Sequence, residues 1–210
     1  MSVLQFKNYS ISLMKSDSKL INNLSFEVEK GQSLGIVGES GSGKSLTALS
    51  VLRLLNKKIF KTSGEILINN RNVFELNDLG LNELRGNEVS MIFQEPMLSL
   101  NPVKSLYSQI NECLELSNEP LTSNDIIHSL HAVGLSDTNK ILKSYPHMIS
   151  GGQRQRFMIA MSILRKPNII IADEPTTALD VTLQKQILDT LKALQNDLGR
   201  SLVLLSHDIE

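Results

Sequence analysis

LGIVGESGSGKSLTALSVLRLL, Leu34 to Leu55, is the stretch from which the rest of this chain can be read. Its centre, Gly38-Glu39-Ser40-Gly41-Ser42-Gly43-Lys44-Ser45, fits the pattern G-x-x-x-x-G-K-S/T of a phosphate-binding loop. Glycines let such a backbone curl until several N–H groups point inward at phosphate oxygens. The apolar run Leu34 to Val37 reads as a strand entering the loop, and Leu46 to Leu55 as a helix leaving it. Strand, glycine loop and helix in that order are the context the pattern requires, and the helix adds the positive end of its dipole. Lys44 would reach the β- and γ-phosphates of a nucleoside triphosphate, and the Ser45 hydroxyl would ligate Mg²⁺. A chance glycine-rich turn matches the pattern in on the order of 1% of chains this long, and the flanking elements lower that further.

Two further stretches carry chemistry. In IIIADEP, Ile169 to Pro175, an apolar run typical of a parallel strand buried on both faces ends in two adjacent acids. Alone, an acid pair after a strand reads as a solvated turn. Beside a phosphate loop on a parallel sheet it gains a role, because ligands gather at the carboxyl ends of such strands. Asp173 would then hold Mg²⁺ through water, and Glu174 would polarise the attacking water as general base. In ISGGQRQR, Ile149 to Arg156, a hydroxyl and close backbone amides precede a helix and could form a second anion site. Taken by itself, that stretch reads first as a glycine C-cap and linker.

The remaining sequence sets the frame. The 210 residues suit one domain, or one domain with a subdomain, and are 41% hydrophobic and 20% charged. A net charge of −1 supplies no basic footprint for nucleic acid. Cys113 is the single cysteine, so no intrachain disulfide forms; a reducing compartment fits, with the thiol acting as a small buried hydrophobe. No secretory leader pattern opens the chain, and no apolar run approaches the roughly 20 residues that span a bilayer.

Leu24, Phe26 and Val28 alternate with Ser25, Glu27 and Glu29 as in a strand buried on one face, and Glu65 to Ile68 reads as another, closed by Asn69-Asn70. From about Leu106 to Leu142 the pattern is helical. There Ile126, Ile127, Leu130 and Val133 fall at helical spacing between a cap at Thr122 or Ser123 and a stop at Gly134. Ile187, Leu191, Leu194 and Leu198 mark a helix face, and Ser201 to Leu205 a further buried strand. The alternation of strand and helix in the later half predicts a parallel sheet flanked by helices. His128 and His131 share a helical face but lack a third ligand, and read as surface histidines.

Together these motifs resemble the nucleotide-binding domain of ABC transporters over nearly the whole chain. Gly38 to Ser45 resembles the Walker A loop, Gln94 the Q-loop glutamine, and Ser150 to Gln153 the signature motif, with Ile149 where the family usually has leucine. Asp173 and Glu174 resemble Walker B and its catalytic glutamate, Ala178-Leu179-Asp180 the D-loop, and His207 the switch histidine. FQEPMLSLNP (Phe93 to Pro102), YPHMISGGQRQR (Tyr145 to Arg156) and IADEPTTALDV (Ile171 to Val181) are similar to the oligopeptide, dipeptide and nickel importers. TALSVLRLL (Thr47 to Leu55) with RGNEVSMIFQEPM (Arg85 to Met97) most resembles the microcin C-type peptide importers.

The resemblance implies an α/β P-loop NTPase with a mainly parallel sheet, an N-terminal antiparallel β subdomain, and a helical subdomain inserted at about residues 95–150. It implies ATP and Mg²⁺ as cofactors. Gly38, Glu39, Ser40, Gly41, Ser42, Gly43, Lys44, Ser45 and Leu46 would contact nucleotide, as would Ser150, Gly151, Gly152, Gln153 and Asp180 across a head-to-tail dimer. Ser45, Gln94 and Asp173 would hold the metal, and Glu174, His207 and Gln94 would serve hydrolysis. The implied partners are transmembrane permease subunits and a second ABC ATPase domain, in a homodimer or heterodimer. A periplasmic or extracellular substrate-binding protein acts indirectly, and the setting is the cytoplasmic face of the bacterial inner membrane.

Met97, Leu98 and Leu100 would line the permease dock or pack in the core. Two departures accompany the likeness. Leu13 to Lys15, where the family usually stacks an aromatic ring on adenine, has none, and Tyr9 falls in the first strand. The chain also stops just beyond His207, where the family continues with further strands and a helix. A fragment, a split or decayed gene product, or completion by another chain would each explain that, and a remnant that binds nucleotide or partner without efficient turnover is the alternative function.

Overall fold

The computed structural model describes residues 1–16, 18–94, 100–115, 121–176 and 181–207. Two four-stranded sheets organise it. The strands β1 (Ser2–Leu13), β2 (Lys19–Glu29), β4 (Phe60–Ile68) and β5 (Arg71–Asn72) form an antiparallel sheet in the order β2-β1-β4-β5. The strands β3 (Ser33–Val37), β6 (Val89–Ile92), β7 (Ile169–Asp173) and β8 (Ser201–Ser206) form a parallel sheet in the order β3-β8-β7-β6.

The expected alternation in β2 is present: Val28 is buried and Leu24 and Phe26 half-buried, while Ser25, Glu27 and Glu29 face water. Asn69 and Asn70 both take positive φ, 48° and 63°, the conformation of a tight hairpin turn matched to strand twist. They fold β4 back onto β5. At Gly64 the antiparallel sheet tolerates no side chain. Its φ is +86°, and an added Cβ would lie 2.4 Å from the carbonyl oxygen of Asn8, where β1 bulges. Gly64→Ala should therefore lose about 3 kcal/mol of folding free energy, from overpacking and left-handed strain together. Urea unfolding measures this, and a loss under 1 kcal/mol would show that the bulge relaxes.

All five residues of β7 are buried, as a parallel strand covered on both faces requires. Ile169 and Ile171 join a core shared with Phe6, Tyr9, Ile66 and Ile68 of the antiparallel sheet and with Ala48 and Val51 of α1 (Lys44–Val51). Ile170 and Ala172 point the other way, into a core shared with the helices α3 (Leu106–Glu115), α4 (Ser123–Ala132), α5 (Thr138–Lys143), α6 (Gly151–Leu164) and α7 (Val181–Leu198). A short α2 (Asp78–Glu83) and one π turn, Leu84–Glu88, lead into β6.

The cap predicted for α4 is Thr122, in a reciprocal capping box with Asp125, and Gly134 follows the helix at φ +73°. Ile126, Leu130 and Val133 are buried as expected, but Ile127 is 37% exposed, since its position lies about 100° around the helix from Ile126. Of the apolar face expected on α7, Ile187 and Leu191 are buried; the side chains of Leu194 and Leu198 lie outside the described set.

The helix after the glycine loop stops at Val51 rather than Leu55. Arg53 takes φ 51°, and the bonds Leu54 N–H to Leu49 C=O (2.9 Å) and Arg53 N–H to Ser50 C=O (3.0 Å) close a Schellman motif without a glycine. The Arg53 guanidinium, bonded to the carbonyls of Val73 and Leu76, holds that turn.

Candidate functional site

The four parallel strands deliver their carboxyl ends to one place. β3 leads into Gly38, β6 into Phe93-Gln94, β7 ends at Asp173 with Glu174 next, and β8 runs into His207. β8 lies between β3 and β7 and ties both. The Ser206 carbonyl accepts the Gly38 N–H (3.3 Å), and the Leu205 carbonyl accepts the Glu174 N–H (3.0 Å). Residues distant in sequence thus meet at the carboxyl edge of the sheet, the usual site of ligands in open α/β folds.

The glycine loop is built as a cradle. Gly41 and Gly43 take φ of +82° and +96°, so the chain reverses twice before α1 begins. No side chain caps α1, and its first intrahelical bond runs from Thr47 N–H to the Gly43 carbonyl (2.9 Å). The N–H groups of Lys44, Ser45 and Leu46 are therefore the helix's leading donors, directed at the loop's interior. The Lys44 ammonium is 7% exposed and donates to the carbonyls of Gly38 (2.5 Å) and Glu39 (3.0 Å). Glu39, Ser40, Gly41 and Ser42 form the exposed rim.

Asp173 is 4% exposed, and among the described residues its Oδ1 has no hydrogen-bond partner. Burial pushes its pKa up; the Ser45 hydroxyl opposes this, Glu174 adds to it, and Lys44 opposes it. A buried carboxylate oxygen left open, with a hydroxyl beside it, is the oxygen donor set a hard divalent cation takes. The residues present therefore fit Mg²⁺.

The third component is centred on Glu174. Its φ of 47° places a non-glycine residue in the left-handed region, at a cost of about 1–3 kcal/mol. The side chain, 12% exposed, accepts from Gln94 Nε2 at 2.8 Å through Oε2, and His207 Nδ1 lies 3.2 Å from Oε1. An amide and an imidazole thus flank one carboxylate, fixing a group of the kind that abstracts a proton from water.

Ser150 to Gln153 occupy the start of α6. The Ser150 hydroxyl accepts the Gln153 N–H (3.2 Å), and Gln153 Oε1 accepts the Ser150 N–H (3.0 Å), a complete capping box. Ser150 and Gly151 are exposed, so the positive end of a fourteen-residue helix faces outward. Among the described residues these four make no hydrogen bond to the glycine loop. Among the described residues, Gln155 ties α6 to the site: its amide donates to the Pro175 carbonyl. Neither this bond nor the two β8 carbonyls were anticipated from sequence, since backbone acceptors leave no residue signature and Gln155 sits inconspicuously within ISGGQRQR.

Asp180, Met97 and Leu98 lie outside the described residues, while Leu100 is buried in the helical core. Tyr9 is fully buried, stacked on Phe74 and edge-on to Phe6, which leaves it packed in the core as its place in β1 suggested.

Strand, cradle and helix on one side of β8, and an acid pair after a buried parallel strand on the other, define a P-loop nucleotide-binding domain. The pattern that describes the ABC transporter family matches residues 21–177, and the chain belongs to that family. It is 42% identical to the ABC transporter ATP-binding protein YejF of Escherichia coli over 99% of this chain and 40% of that protein. It is 44% identical to a probable peptide ABC transporter ATP-binding protein of Sinorhizobium fredii, over 93% of this chain and 59% of that one. It is 43% identical to the dipeptide transport ATP-binding protein DppD of Lactococcus lactis, over 99% and 61%. The chain thus spans about two fifths to three fifths of the length of these relatives. Its fold matches a dimeric ATP-binding cassette solved in a post-hydrolysis state with ADP and Pi, at a TM-score of 0.85 and 27% identity, covering 98% of this chain and 88% of that one. Among the described residues no helix is long and apolar enough to cross a membrane.

Proposed function

We propose that this chain is the ATP-hydrolysing domain that powers an importer, with oligopeptides or dipeptides as cargo. The observation that carries the reading is the convergence of Gln94 and His207 on the Glu174 carboxylate, next to Asp173 and the glycine loop. The amides of the loop and of α1, with Lys44, bind and orient the triphosphate. Ser45, Asp173 and Gln94 would hold Mg²⁺, which would neutralise charge developing on the phosphoryl oxygens. Glu174 accepts the proton of the attacking water, and Gln94 and His207 keep its carboxylate in line. The buried surroundings of Asp173 exclude bulk water from the metal side of the site.

The outward-facing start of α6 suits the γ-phosphate of a nucleotide bound by a second cassette, so two domains pair head to tail with each supplying each half-site. Asp180 is assigned to that interface. The helices α3 to α5 form the part that docks on transmembrane permease subunits, which places the domain peripherally on the cytoplasmic face. Relatives named for peptide and dipeptide transport support the cargo class.

Titration calorimetry with ATP, with and without Mg²⁺, tests the reading. Saturable binding strengthened by Mg²⁺ is expected, together with release of phosphate. A folded sample with no magnesium-dependent affinity at millimolar ATP would end the assignment. Binding with no phosphate release would favour the non-hydrolysing alternative.

A further inference from the structure

The loop that carries Glu174 is held from three sides. Behind it, the Leu205 carbonyl of β8 takes the Glu174 N–H at 3.0 Å. Ahead of it, the Thr176 carbonyl accepts from Gln184 Nε2 of α7 at 3.3 Å. Between these, the buried Pro175 has no N–H, so its carbonyl is the one main-chain polar group by which that residue can be gripped. Gln155 grips it from α6. The Gln155 side chain is 3% exposed, and a buried amide of this kind needs its partner.

We propose that Gln155 is a positioning residue for hydrolysis: by holding the Pro175 carbonyl it fixes the left-handed backbone from which Glu174 presents its carboxylate to Gln94 and His207. The proposal rests on the reading of Glu174 as the base. A non-glycine residue keeps a left-handed conformation only while its surroundings over-determine it. The Leu205 bond fixes the N–H side of Glu174, and the Gln155 bond fixes the peptide on the far side of the rigid Pro175 ring, so the chain is pinned on both sides of Glu174. Without the second, the chain is free to relax toward the extended region that a residue before proline prefers, and the carboxylate swings away from its two partners.

The role is local rather than architectural. α6 is anchored independently by Phe157, Ile159, Ala160, Ile163 and Leu164, all buried, so loss of one amide bond leaves the helix docked. Binding of nucleotide depends on the opposite side of β8, on Lys44 and the leading amides of α1, and among the described residues the hydrogen bond that Gln155 makes is to Pro175 rather than to any of these.

Gln155→Met keeps the length and volume of the side chain and removes its donor. In the full chain, kcat should fall about 10- to 100-fold, as for a misplaced catalytic group, while KM and the equilibrium affinity for MgATP stay within about twofold. Gln155→Asn, a methylene too short to reach, should do the same and guards against a packing fault specific to methionine. In a Glu174→Gln background, Gln155→Met should lower the residual rate no further, because the group it positions is gone. Parental kcat in either single variant overturns the proposal, as does a parallel loss of kcat, MgATP affinity and melting temperature. Additive losses in the double variant also overturn it. If Glu174→Gln hydrolyses like the parent, the base assignment fails and takes this proposal with it; if Glu174→Gln is inactive while Gln155→Met is not, only the role of Gln155 is lost.

Discussion

Glu174→Gln should leave MgATP affinity within about twofold of the parent and lower the hydrolysis rate by about 10²- to 10⁴-fold, the range a positioned general base supplies. The substitution is close to isosteric. The Gln94 amide at 2.8 Å still finds an oxygen acceptor, and the backbone bond to Leu205 is untouched, so the site keeps its shape. What is lost is a carboxylate able to take a proton. The loop proposed to bind triphosphate lies between β3 and α1 rather than after β7, so binding and turnover should separate. With hydrolysis blocked, a nucleotide-bridged pair of domains should persist, and size-exclusion chromatography with MgATP should show a dimer that the parent forms only transiently. Parental turnover in this variant would place the base elsewhere.

Much of this candidate site was legible in the sequence because the chemistry proposed for its side chains is open to few residue types. A lysine and serine after spaced glycines, and two acids after an apolar strand, are rare combinations, and the parallel sheet brings them to one edge. The parts that escaped are those where the backbone decides. The end of α1 depends on Arg53 adopting a conformation normally marked by glycine, so the apolar run to Leu55 suggested a longer helix. The clamp at the end of β8 uses the carbonyls of Leu205 and Ser206, which any residue would supply. Ile127 fits the same apolar run as Ile126 yet points outward, since Ile126, Leu130 and Val133 at i, i+4 and i+7 already form the buried stripe and Ile127 lies about 100° around the helix from Ile126. Gln155 is polar within a helix and would pass for a solvent-facing position without the Pro175 carbonyl in view.

Lys44→Ala should weaken binding of ATP itself by about 10²- to 10⁴-fold, with or without turnover. Hydrogen bonds to charged groups contribute about 1.5–3 kcal/mol each, two are expected from one ammonium to the β- and γ-phosphates, and each 1.4 kcal/mol is about tenfold in affinity. The ammonium also spans the mouth of its own loop, bonded to the carbonyls of Gly38 and Glu39. Its removal therefore loosens the curl that aims the loop's N–H groups, adding to the lost contacts. Asp173 senses the same charge, since Lys44 is one of the groups that favour its ionised form, so the metal side should weaken together with the phosphate side. Calorimetric titration measures both effects when run with ATP alone and again with Mg²⁺. The magnesium-dependent gain in affinity should shrink in the variant, because a ligand no longer gripped by its phosphates cannot present them to Ser45 and Asp173. Unchanged affinity would mean that triphosphate is bound elsewhere. A uniform loss with the magnesium gain intact would mean that Lys44 and Asp173 act independently, and the physical coupling across β3 and β7 would then have to be given up.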